Sequence, residues 1–218
     1  MHIQKLSIKG SPFIGVFAKA SDQFALVPTG ISAKEKKIVQ KTLEVDTIET
    51  RIGNSSIIGA LCIANSKHVV LPSIAEEREI DALTQSGVRA VMIDGVEALG
   101  NQVCINDHTG LCGHALSEKT KRQIEKALHI ELTRVTIANS DLVGSASVLT
   151  NKGFAVHSQT RTQELEILKK ITGLNGNPAS ANYGDGFLGN GAIANSFGAL
   201  VGDKTTGYEL MAIDDALQ

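Results

Sequence analysis

Five apolar-glycine pairs, Ile14-Gly15, Ile58-Gly59, Leu99-Gly100, Val143-Gly144 and Leu188-Gly189, punctuate the chain at spacings of 44, 41, 44 and 45 residues. A period of about 20 to 50 residues marks a repeat architecture, in which each unit needs its neighbours to bury a core. Each pair heads the same phrase. In the second, Ile58–Ala64 is an apolar run, Asn65-Ser66-Lys67-His68 a turn, and Val69-Val70-Leu71-Pro72 a second run closed by proline. That predicts a β-hairpin whose first strand opens at the glycine. The other phrases turn at Ser21-Asp22, Asn106-Asp107, Asn151-Lys152-Gly153 and Asn195-Ser196.

A helix follows each hairpin. Ser32…Glu35, Ser73…Glu76, Thr160…Gln163 and Thr206…Glu209 fit the capping box, and Ser117 caps the third helix alone. Apolar residues then recur at helical spacing, as in Ile38/Val39/Leu43, Ile80/Leu83, Ile124/Leu128, Leu165/Leu168 and Leu210/Ile213/Leu217. A further strand is expected at Val45–Ile48, Val88–Ile93 and Ile130–Val135, and less clearly within Ile171–Ser180, which carries Gly173, Gly176 and Pro178. The fifth helix has no strand after it, whereas Ile3–Ile8 is a spare strand before the first hairpin. If that strand serves the last repeat, residues 1–218 form a single domain closed by joining its ends, without exposed outer edges. The expected fold is α/β: a ring of five strand–strand–helix–strand units, helices outside, around a central channel.

The 42% apolar and 4% aromatic content supplies a core of Ile, Val, Leu and Ala, consistent with a crowded centre. A net charge of −2 excludes a broad nucleic-acid footprint, so any RNA would be met locally. Three cysteines suit a reducing cytoplasm better than a disulfide framework. Lys5, Lys9 and the run Pro12–Ala18 imitate a secretory leader, but the run is short and coincides with the first repeat. No stretch reaches the length of a membrane span.

The motifs that suggest chemistry do not carry it. Gly184-Asp185-Gly186-Phe187-Leu188-Gly189 spells a dinucleotide fingerprint, yet Ala192–Ala194 continues as a strand where a helix is required. Gly202-Asp203-Lys204-Thr205 puts a carboxylate where a phosphate loop has none. Cys104, His108, Cys112 and His114 are the one metal-like cluster. A turn centred on His108 would set the two cysteines opposite each other, and four ligands from one hairpin converge poorly on zinc. The remaining histidines are scattered, and no constellation for acid–base or nucleophilic catalysis is present. No catalytic residue, metal site or cofactor is expected.

Five segments, taken together and in order, resemble the initiation factor 6 family of archaea and eukaryotes over essentially the whole chain. They are Arg51–Gly59, Ala98–Asn101, Asp141–Ser145, Thr150–Gly153 and Asp203–Leu210. The resemblance implies the pentein fold, a five-fold pseudosymmetric closed ring, and a cytoplasmic, monomeric protein with no membrane or DNA partner. It also implies binding to the large ribosomal subunit on its intersubunit face, through ribosomal protein uL14 near the sarcin-ricin loop. Such binding would keep the small subunit away, with a further part in large-subunit biogenesis. Carried over by position, the ribosome-binding residues are Ser55, Ile57, Ile58, Gly59, Ala60, Leu99, Gly100, Asn101 and Leu142. The chain departs from the family where His68 replaces a turn glycine, and where proline is missing after His114 and His157.

The rival is a catalytic pentein that modifies guanidino groups with a cysteine nucleophile late in the chain. Here the last cysteine is Cys112, and the final repeat ends Val201-Gly202-Asp203-Lys204.

Overall fold

The computed structural model describes residues 1–218. Strand β1 (His2–Leu6) comes first, two residues shorter than Ile3–Ile8 at its far end and one longer at its start. The first repeat is α1 (Ile14–Phe17), β2 (Lys19–Ala20), β3 (Phe24–Pro28), α2 (Ala33–Leu43) and β4 (Asp46–Thr50). The second is α3 (Ile58–Leu61), β5 (Ile63–Ala64), β6 (His68–Pro72), α4 (Glu77–Gln85) and β7 (Arg89–Ile93). The third is α5 (Leu99–Gln102), β8 (Val103–Ile105), β9 (Thr109–Cys112), α6 (Glu118–Leu128) and β10 (Glu131–Arg134). The fourth is α7 (Val143–Ala146), β11 (Ser147–Leu149), β12 (Gly153–His157), α8 (Thr162–Thr172) and β13 (Asn175–Ala179). The fifth is α9 (Leu188–Gly191), β14 (Ala192–Ala194), β15 (Gly198–Gly202) and α10 (Gly207–Leu217).

Each repeat holds one three-stranded sheet in which the middle strand pairs antiparallel with its hairpin partner and parallel with the strand after the helix. In the fifth sheet that parallel place is taken by β1, in register from His2↔Gly198 to Leu6↔Gly202. The N-terminal ammonium reaches Asp214 of α10 at 2.7 Å. Inner strands β2, β5, β8, β11 and β14 touch in cyclic order, as do α1, α3, α5, α7 and α9. The result is a five-fold ring with the long helices outside. No helix is long and apolar enough to cross a membrane.

The apolar-glycine pairs do not open strands. Each lies in a one-turn helix, and the strand starts afterwards. The turns pack so closely that a β-carbon on any of the five glycines would overlap the carbonyl oxygen of the preceding one around the ring, with Gly189 preceding Gly15. Glycine is there for close backbone approach.

Two helix starts also differ from expectation. α4 begins after Glu76, whose N–H donates to Glu79, and α8 after Arg161, whose N–H donates to Glu164, so Ser73 and Thr160 lie outside the helices. Ser32, Ser117 and Thr206 cap as expected. The apolar interior forms five clusters, each drawing on neighbouring repeats: Phe24 and Leu26 of the first repeat pack with Leu71 and Leu83 of the second, and Cys104 and Leu111 of the third with Phe154 and Leu168 of the fourth.

Candidate functional site

Because β4, β7, β10, β13 and β1 run parallel to the middle strands, every chain segment that enters a one-turn helix gathers at one end of the ring. The hairpin turns gather at the other end.

At the first end the residues preceding the one-turn helices are Phe13, Ile57, Ala98, Leu142 and Phe187. They share one backbone conformation, with φ from −91° to −76° and ψ from 55° to 66°. In four repeats a side chain two residues earlier fixes that conformation. Ser11, Ser55 and Ser140 hydroxyls and the Asp185 carboxylate accept the N–H of Phe13, Ile57, Leu142 and Phe187 at 2.9–3.3 Å. The outcome is an apolar crown on the ring of glycines. Phe13, Ile57 and Leu142 are 40, 37 and 45% exposed. The third repeat has the small Ala98 instead, and beside this dip Asn101 is half-buried with no protein partner for its amide.

The rim is polar and fixed. Glu79 accepts the N–H groups of Gly53 and Asn54 at 2.7 and 2.9 Å, while Arg78 and Arg161 donate to Asn54 and Asn139 at 2.6 and 2.5 Å. Glu209 accepts from Gly184 N–H at 2.8 Å and Ser180 Oγ at 2.9 Å. An apolar centre inside a hydrogen-bonded rim is the anatomy of a protein-binding surface.

The sequence-expected residues therefore divide. Ile57 and Leu142 project, Asn101 lies in the dip, and Ser55 positions Ile57. Ile58 and Leu99 are fully buried and Ala60 nearly so, while Gly59 and Gly100 form the ring beneath. These five lie beneath the crown and set its shape. Phe13, which the sequence reading did not single out, stands two residues before a repeated glycine, as do Ile57 and Leu142.

At the opposite end Ser21, Asn65, Asn106, Thr150 and Asn195 each accept two backbone N–H groups of their own turn. His68 thus adopts the same turn as its counterparts despite replacing glycine. Between repeats, Asp22 accepts from Ser196 and Asn151, and Asp107 from Ser66 and Asn151. Burial works to raise the Asp107 pKa, but donors from Ser66 and Asn151 outweigh it and hold the carboxyl below its ordinary value. Between the two ends the channel narrows to a cavity of about 40 Å³ beside Gly15, Lys19, Cys104 and Ser147, room for a water rather than a substrate.

The metal-like cluster is dispersed. Cys104 pairs with Leu111 and Cys112 with Val103, so the cysteines are one residue out of register and face opposite sides of the sheet. This corrects the expectation that they oppose each other. His108 lies at the turn end and His114 at the crown end of β9. Burial raises the pKa of all three thiols, that of Cys62 to about 12.

The sequence model of the eIF-6 family matches residues 3–216. Translation initiation factor 6 of Pyrococcus horikoshii is 36% identical, covering 100% of this chain and 99% of its own. The factor of the same name from Methanosarcina mazei is 38% identical, covering 99% and 98%. Among solved structures, a dimethylarginine dimethylaminohydrolase captured as an S-methyl-L-thiocitrulline adduct aligns with 94% of this chain and 73% of its own, at 10% identity and a TM-score of 0.48.

Proposed function

The chain belongs to the eIF-6 family, and from that premise we propose that it is a translation factor that binds the large ribosomal subunit and blocks the small subunit by bulk. One observation carries the reading: the exposed apolar crown of Phe13, Ile57 and Leu142, standing on a backbone ring that cannot yield. A prearranged surface loses little conformational entropy on docking, which favours tight binding by a modest patch. Phe13, Ile57, Asn101 and Leu142 make the contact, Ser55 holds Ile57, and Ile58, Gly59, Ala60, Leu99 and Gly100 act through shape. The partner surface is uL14 near the sarcin-ricin loop, engaged in the cytoplasm by a monomer whose residues 1–218 act as one pentein domain. A part in large-subunit biogenesis follows from the same occupancy.

The protein is proposed to do this without catalysis. The final repeat offers neither Cys nor His after β15, and the central cavity is too small for a guanidino substrate, which disfavours the enzymatic reading. The test is light scattering of mixed subunits with and without the protein, alongside co-sedimentation with each subunit. Expected are binding to large subunits alone and suppressed association. Equal binding to small subunits, or unaffected association, would sink the proposal.

A further inference from the structure

A second surface lies on the outer wall near the turn end, where β7 of the second repeat meets α6 of the third. Arg89, Met92, Gln123, Lys126 and His129 line a concavity of about 390 Å³. Lys67, His68, Asp107 and His108 line another of about 380 Å³, and His129 belongs to both, so the two form one groove.

Lys67, Arg89 and Lys126 are exposed, and none takes part in an ion pair or a side-chain hydrogen bond. They are free cations along one groove. The His68 and His129 rings stand 6.5 Å apart, which invites a metal, but no third ligand joins them and the fixed positive charges would repel a cation. The imidazole of His68 is nine-tenths buried with Nδ1 unpartnered; first burial and then the charges of Arg89, His129 and Lys67 disfavour its protonation. Asp107 is the one carboxylate lining the groove, and its oxygens are occupied by Ser66 and Asn151. The groove suits an anion.

A single small anion would need the cations focused on one point, whereas these are strung along two concavities. A polyanion with regularly spaced charges fits. Val91, Ala127 and the half-exposed Met92 give an apolar floor for sugar and base.

We propose that this groove binds the phosphodiester backbone of a single-stranded nucleic acid without regard to sequence. It rests on this surface alone and is independent of the crown reading. The test is fluorescence anisotropy of a labelled oligouridylate of about 12 nucleotides, titrated between about 50 and 200 mM salt. Three phosphate contacts predict a log–log salt slope near −2. The variant Lys67→Ala/Arg89→Ala/Lys126→Ala, altered at exposed positions, is expected to bind at least about tenfold more weakly with a nearly flat slope. Leu142→Asp is expected to bind the RNA like wild type while losing large subunits, which separates failure of this reading from failure of the other. Absence of binding at low salt, an unchanged triple variant, or equal binding of a polyglutamate peptide of matched charge would each overturn the proposal.

Discussion

The carbonyl oxygen of Gly15 occupies the space that a β-carbon on Gly59 would need. The same relation passes from Gly59 to Gly100, Gly144 and Gly189 and returns to Gly15, so one geometric demand fixes five positions and the ring's radius together. Crown height follows from it, because Phe13, Ile57 and Leu142 each stand two residues before one of these glycines.

Gly59→Ala is therefore expected to cost about 3 kcal/mol or more, since backbone rather than a mobile side chain must give way. That corresponds to a Tm lowered by about 6 to 12 °C for a chain of this size. Gly207→Ala, in the first turn of α10 with nothing near the new methyl, should raise stability by up to about 1 kcal/mol. Thermal denaturation of both variants reads the contrast; a mild Gly59→Ala phenotype would mean the ring is softer than its geometry.

The repeat, the helices and the third strands were legible because each rests on a local pattern that recurs. The one-turn helices were not. Four apolar residues such as Ile58–Leu61 satisfy strand and helix patterns alike, and contact with the neighbouring repeat decides between them. β13 was obscured by Gly176 and Pro178. As the outer strand of its sheet β13 can carry proline, and Gly176 leaves room for the ring of Phe154. The cysteine register depended on a turn spanning Asn106–Thr109 rather than one centred on His108. Crown residues taken by resemblance mixed surface with core, because exposure is a property of the closed ring.

At the crown, Leu142→Ala and Ile57→Ala are each expected to weaken large-subunit binding by about 1 to 2 kcal/mol, roughly 5- to 30-fold. Denaturation midpoints should barely move, since both side chains are substantially exposed. Asn101→Ala should behave similarly through its free amide. Competition sedimentation checks this, and full affinity in all three folded variants would remove the crown from the interface.

Acid should release one clamp. Burial would raise the Glu209 pKa, but hydrogen bonds from the Thr206 and Gly184 backbone and the Thr206 and Ser180 hydroxyls hold it below the ordinary carboxylate value. A depressed folded pKa gives stability that is complete above the unfolded value of about 4.3 and lost as pH falls through the folded one. Glu209→Gln is expected to cost about 1.5 to 3 kcal/mol at neutral pH and progressively less as pH falls below the unfolded value. Urea unfolding at neutral pH and below the unfolded value measures the difference, and equal costs would assign the effect to packing.

His68 should impose a second acid penalty in a different range. Its burial, with the nearby charges of Arg89, His129 and Lys67, lowers its folded pKa, so stability falls as pH drops through the unfolded value of about 6.5 and levels off below the folded one. The corresponding residue of the first repeat is Phe24, at the same register position in its sheet. His68→Phe is thus expected to fold and to lose less stability than wild type between pH 7.5 and pH 5. Parallel curves for the two proteins would show that His68 does not titrate on unfolding.

The closing strand gives the strictest test of the ring. In the first repeat, two residues (Glu44 and Val45) carry the chain from α2 into the parallel strand β4. In the fifth, α10 ends at Leu217 and β1 begins at His2, with the Met1 ammonium already bonded to Asp214 of that helix. Moving residues 1–8 to follow Gln218 through a linker of a few residues would turn the fifth unit into a contiguous copy of the others. Such a permutant is expected to fold with stability within about 1 kcal/mol of wild type, because every strand pairing survives, only the Met1–Asp214 ion pair is given up, and the lengthened connection changes closure entropy little. It should also bind large subunits, since the segments that carry Ile57, Asn101 and Leu142 are untouched. A permutant that stays unfolded, or that unfolds in two separate transitions, would mean that β1 does more than occupy the fifth parallel place, and that the five sectors are not equivalent in the way their pairing implies.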